Sequence, residues 1–146
     1  MKIPLNFYDV KGQEMITIGC RILLPHVSGS IEFCIDTGSP CSFIGATDAE
    51  RLSIGTRSSS KDPTYYWGDK ALRMHSTHAV SFWFRAEDNG REKIKIINVK
   101  RMLVTKDFIH NKESKESPSL LGLDFLIANK LNLRVNCNKK EAWLEI

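Results

Sequence analysis

The 146-residue sequence contains no apolar run approaching the ~20 residues that a membrane-spanning helix requires. Its opening stretch, Met1 to Asp9, sustains no apolar core and soon carries an acid, so no export signal is expected. Cysteine is sparse and unpatterned: Cys20, Cys34, Cys41 and Cys137 include no C-x-x-C pair. Without an export signal, that usage predicts four reduced thiols in a cytoplasmic protein, with no disulfide required. Concentrated charge is missing as well. The formal net charge is +4 with Lys and Arg scattered along the chain, which argues against a nucleic-acid partner. Walker loop, dinucleotide fingerprint and G-x-S-x-G are all absent. Neither solenoid-spaced repeats nor a low-complexity tail occurs. What remains is ordinary globular composition, 42% hydrophobic and 26% charged, at a length suited to one compact domain over residues 1–146.

The hydrophobic pattern has period two, the mark of half-buried strands. Ile16 and Ile18 alternate after a turn at Lys11-Gly12-Gln13, and Ile31, Phe33 and Ile35 alternate after a turn expected at Val27-Ser28-Gly29-Ser30. Val80, Phe82 and Phe84 form another strand, and Ile94 and Ile96 begin the next. Asp88-Asn89-Gly90 between them supplies the positive φ angles of a tight hairpin. The alternation slips at Ile96-Ile97, which suggests a bulge. Helix signals are short. Thr47 to Glu50 reads as a capping box opening a helix that stops before Gly55, and a second helix is expected from about Asp124 to Lys130. Residues 57–63 and 111–118 read as polar surface loops. His75 and His78 form H-x-x-H, but in an extended segment their rings face opposite ways and no third ligand accompanies them; a metal is not expected.

One segment carries chemistry. In Ile31-Glu32-Phe33-Cys34-Ile35-Asp36-Thr37-Gly38-Ser39, an apolar strand delivers Asp36 into a glycine-containing turn, and Phe43-Ile44 leaves it. Flanking core strands give a carboxylate the rigid mount that catalysis needs. Gly38 allows a sharp turn that brings main-chain amides toward the carboxylate. Cys34, two residues before Asp36, reads as a small core residue. Asp36-Thr37-Gly38-Ser39 resembles the Asp-Thr-Gly signature of aspartic proteases. Ser119-Leu120-Leu121-Gly122-Leu123-Asp124-Phe125-Leu126 is similar to the strand and short helix that retropepsins place beside the catalytic turn. The chain thus resembles the retropepsin-like aspartic proteases over the core of its length. That resemblance implies an all-β, single-domain, closed acid-protease barrel with one or two short helices.

The resemblance also implies a mechanism and a partner. Pepsin-like enzymes carry two such turns in one long chain, whereas this sequence has one. Peptide hydrolysis by this chemistry uses two carboxylates around one water, one ionised as general base and one protonated as acid. A two-fold axis past Asp36 supplies the second, so a homodimer with an Asp36–Asp36′ dyad is implied, acting on peptide or protein substrates without a cofactor. Thr37 of each subunit would bond the other's loop. The expected flap is Tyr65-Tyr66-Trp67-Gly68-Asp69, with Trp67 and Gly68 meeting substrate. Ser39 is also assigned to substrate binding, its hydroxyl stabilising ionised Asp36 and implying an acidic activity optimum. The C-terminal stretch, residues 131–135 and 142–146, reads as a hairpin that either closes the monomer's own sheet or contributes dimer strands. The competing reading is a dimerisation or peptide-binding domain that keeps the fold without catalysis.

Overall fold

Side-chain alternation sets the facing of nearly every strand. The computed structural model describes residues 1–10, 12–58, 61–67, 70–105 and 118–146. An N-terminal meander comprises β1 (Lys2–Val10), β2 (Gln13–Leu24) and β3 (Val27–Ile35). Gly12 takes φ +81° between the first two strands, as the turn there demands. The next turn lies at Pro25-His26, with Leu24 paired to Val27, and not at residues 27–30. Pro25 decides this, because its fixed φ suits the first corner of a tight turn and releases Val27 to Ser30 into the strand.

Two short strands flank the first helix: β4 (Phe43–Ile44) precedes α1 (Ala46–Arg51), and β5 (Thr64–Trp67) follows it. After β5 come β6 (Lys70–Ser76), β7 (Val80–Asp88), β8 (Arg91–Val99) and β9 (Leu103–Thr105). The chain ends with β10 (Ser119–Leu121), α2 (Leu123–Ala128), β11 (Asn132–Asn136) and β12 (Glu141–Glu145). Asn89 and Gly90 turn the β7–β8 hairpin with φ of 51° and 74°, as their sequence demands. The bulge expected at Ile96-Ile97 is not formed. Pairing runs unbroken from Val80↔Val99 to Asp88↔Arg91; Ile97 faces the core while Ile94 and Ile96 face outward. The capping box is likewise corrected. Gly45 is the N-cap and makes no side-chain cap, so Thr47 lies inside the helix, which starts early enough to bury Ala46 and Ala49. α2 starts one residue before the expected boundary, and Asn129 and Lys130 lie beyond its end. Most of the 111–118 loop, together with Ser59 and Ser60, falls outside the described residues.

The hydrogen-bonded strand order is β11-β12-β1-β7-β2-β3-β10-β4-β9-β6-β5, with β8 on β7 and β1 also paired to β2. Among the described residues this order is open, its end strands β11 and β5 unjoined, so the expected closed barrel is not formed by hydrogen bonds. The C-terminal hairpin belongs to the chain's own sheet, since β12 lies between β11 and β1. The core is dominated by Phe33, Phe82, Phe84 and Phe125, whose rings pack 5.3–6.3 Å apart. Burial of such rings is the main stabilising contribution. No helix among the described residues is long and apolar enough to cross a membrane.

Candidate active site

Asp36 is the first residue past β3, and its position is fixed by main-chain contacts. β10 runs parallel to β3, pairing Ser119 with Phe33 and Leu121 with Ile35, and antiparallel to β4 through Leu120↔Phe43. The strand entering the Asp36 turn and the strand leaving it therefore sit on either side of the same buried strand. The Asp36 amide donates to the Leu121 carbonyl at 3.1 Å, carrying the ladder into the turn itself. Ser39 N–H donates back to the Asp36 carbonyl at 3.1 Å, closing the loop. The Gly38 amide donates to Asp36 Oδ1 at 2.9 Å and holds one face of the half-buried carboxyl. The amide approach and the need to avoid a Cβ both match expectation. Gly38 has no left-handed φ; a Cβ there would lie 3.2 Å from Asp36 Oδ1, against the carboxyl.

Gly122 has the tighter requirement. A Cβ at that position would fall 2.5 Å from the Ser39 carbonyl oxygen and 2.8 Å from that of Cys41. Its hydrogen therefore lets β10 and α2 press directly against the backbone of the Asp36 loop. The Leu123 amide donates to that same Ser39 carbonyl at 2.9 Å.

Two side chains without an assigned role in the sequence reading lock this contact. Ser42 Oγ donates to Asp124 Oδ1 at 2.5 Å and accepts from the Gly122 amide at 2.7 Å. Asp124 Oδ2 accepts the Ser42 amide at 3.1 Å, and its Oδ1 also takes the Phe125 amide at 2.8 Å. A similar clamp works beneath the loop: buried Ser119 accepts the Gly45 amide at 2.9 Å and donates to Asp48 at 2.6 Å. The available signal was a small hydroxyl or carboxylate set inside an apolar run, since a buried polar group is retained only where it finds partners.

Ser39 is placed differently from expectation. It is buried, and its one hydroxyl hydrogen goes to the Cys41 carbonyl at 2.8 Å. The 3.2 Å contact with Tyr65 Oη is then one in which Tyr65 donates. Its hydroxyl is therefore engaged by the loop and by Tyr65, with no hydrogen bond to the Asp36 carboxyl among the described residues. Thr37 and Gly38 are exposed, and the Thr37 side chain has no hydrogen bond among the described residues.

β5 and β6 pair as an antiparallel hairpin between the two motifs, with Trp67 opposite Lys70. Gly68 and Asp69 lie outside the described residues, and for Trp67 only the backbone is described. Tyr65 ties the hairpin to the site by packing its ring against Phe43, with centroids 5.5 Å apart and planes tilted by 54°, and by its bond to Ser39. Tyr66 is exposed. The surrounding thiols are held protonated. Burial, then Glu32 and Asp36, push Cys34 up; burial, then Asp124, push Cys41 up against a smaller opposing hydrogen bond from Ser39. His75 lies in β6 and His78 just beyond it; among the described residues no group of three or more His, Cys, Asp or Glu could hold a metal ion.

No protein-family model and no curated protein matches the chain. Among solved structures, the EIAV protease complexed with the inhibitor HBY-793 superposes with a TM-score of 0.52 at 17% identity, covering 88% of this chain and 100% of the viral one. The chain has the retropepsin-like fold. A retropepsin-like aspartic protease from Rickettsia conorii is also similar, at TM-score 0.49 and 18% identity, over 99% of this chain and 89% of that one. Within the retropepsin-like fold, the Asp36 loop, the β10 strand and the Gly122 contact form one connected unit.

Proposed function

We propose that the chain is an aspartic endopeptidase that acts as a homodimer, with Asp36 from each subunit forming the catalytic pair. The observation that carries this reading is the Asp36 turn itself. It is a half-buried carboxyl gripped by the Gly38 amide, at the head of a buried parallel strand pair, with Thr37 and Gly38 facing out. A single such turn leaves the reaction one carboxyl short. Leu123 and Ile127 are 40% and 72% exposed, and lie one turn apart on the helix that begins against the Ser39 carbonyl. They offer a second copy an apolar surface beside the turn. Thr37, whose hydroxyl has no hydrogen bond among the described residues, would bond the partner loop.

In the dimer, one Asp36 carboxylate removes a proton from a water held between the two acids. The other Asp36, protonated, donates to the scissile carbonyl oxygen as the water oxygen bonds to carbon. Collapse of the resulting gem-diol breaks the C–N bond: the Asp36 that took the water's proton gives it to the leaving nitrogen, and a diol hydroxyl passes its proton to the other Asp36. The pair returns with one shared proton and no covalent intermediate. The β5–β6 hairpin covers the substrate, with Trp67 and Gly68 as its expected contacts, and Ser39 acts by tethering that hairpin through Tyr65. The chemistry needs one carboxyl protonated, so cleavage should be strongest in acid and decline toward alkaline pH. We place the enzyme in the cytoplasm, where its four free thiols stay reduced.

The test is digestion of an unfolded protein across pH with the wild type and with Asp36→Asn. Cleavage in acid that vanishes in a folded Asp36→Asn variant is the expected result. Equal cleavage by both proteins contradicts the mechanism. A folded dimer that cleaves nothing points to the binding-domain reading.

A further inference from the structure

The outward face of β2, β3 and β7 forms the floor of a groove of about 1130 Å³, bordered by β1 and by α1. Lateral pairing sets Arg21 opposite Trp83, Trp83 opposite Ile96, and Arg85 opposite Ile94. Trp83 and Ile94 are 38% and 55% exposed, an unusual outlay of apolar surface on a sheet face. Gly19 leaves the floor open, since a Cβ there would meet nothing within 4 Å.

Charge in the groove is unevenly satisfied. The two carboxylates are occupied: Glu32 accepts from Thr17, and Asp48 accepts from Ser119 and pairs with Arg51. Two of the guanidinium groups are not. Arg85 has no hydrogen bond or ion pair among the described residues, and Arg21 reaches only Ser28 Oγ at 3.3 Å. One free guanidinium, Arg85, and one held by a single long hydrogen bond, Arg21, therefore flank an exposed indole.

We propose that this groove binds an extended acidic peptide segment, with apolar side chains on Trp83 and Ile94 and carboxylates on Arg21 and Arg85. Trp83 and Arg85 lie two residues apart on one strand face, a spacing of roughly 6.5–7 Å that an extended peptide repeats in its own alternate side chains. Guanidinium forks favour carboxylates through paired, charge-assisted hydrogen bonds. A nucleic acid fits less well, because it carries a phosphate at every residue, whereas Arg21 and Arg85 here stand beside the apolar Trp83 and Ile94. Binding there does not require Asp36.

The experiment is fluorescence anisotropy of a labelled peptide repeating Leu-Ser-Glu-Ser, titrated with the full chain at low salt. Saturable binding is expected, weakened about tenfold by Arg85→Glu and by Gly19→Val, and reduced by added salt. Asp36→Asn should bind as the wild type does, and a peptide with Lys in place of Glu should not bind. Gly19→Val projects into open space and should keep its thermal transition; should it unfold, the exposed Arg85→Glu decides alone. No binding by the wild type, or undiminished binding by folded Arg85→Glu, overturns the proposal. An RNA oligonucleotide that binds more tightly than the peptide and loses affinity in the same variants overturns it as well.

Discussion

At the scale of single residues, the site depends on atoms that are missing as much as on those present. Gly122→Ala would drive a methyl group into the Ser39 and Cys41 carbonyls, which are backbone and cannot swing aside. A destabilisation of about 1–3 kcal/mol is expected, read from the shift in a urea unfolding midpoint. A second prediction concerns the thiols. Burial pushes Cys20 up to about 12, and Cys34 and Cys41 are also raised, whereas Cys137 is exposed. A raised thiol pKa means less thiolate at a given pH, so alkylation of the folded protein near neutral pH should modify Cys137 first. Labelling of Cys34 and Cys41 should still be climbing as pH passes 9, their ordinary value. Mass spectrometry of timed samples checks both statements; rapid neutral labelling of Cys34 contradicts the burial described. Asp36 and Gly122 were legible from sequence because a short motif names them. Ser42 and Asp124 were not, because their partnership joins positions far apart in the chain and no local pattern announces it.

At the scale of elements, the period-two signal located the strands well and their ends poorly. Strand facing follows from local alternation, whereas ends are set by which neighbour completes a ladder. Pro25 displaced one turn, and core burial of Ala46 and Ala49 moved a helix start past its capping motif. The Ile96-Ile97 pair breaks the alternation only if every hydrophobic residue is buried, and Ile94 and Ile96 instead face outward beside Trp83. The β5–β6 hairpin was legible as an aromatic stretch between two motifs, but its link to the site came only with the Tyr65–Ser39 bond. Tyr65→Phe should keep the tilted ring contact with Phe43 and lose that bond, costing about 1 kcal/mol or less in stability. On the proposed function, kcat/KM should fall by more than stability does, because the hairpin would no longer be fixed over the substrate. Unchanged peptide turnover in Tyr65→Phe contradicts this role for the hairpin.

At the scale of the whole molecule, the proposed chemistry cannot be completed by one chain. The protomer supplies one carboxyl, an exposed Thr37, and an apolar helix face bearing Leu123 and Ile127. Subunit mixing tests this directly. Wild-type and Asp36→Asn protein, combined in varying proportion at fixed total concentration and left to exchange, should lose peptidase activity as the square of the wild-type fraction. An equal mixture should retain roughly a quarter of the wild-type rate, since only dimers with two intact turns cleave. A rate that falls in simple proportion to the wild-type fraction would show that each chain works alone, and would contradict the shared acid pair.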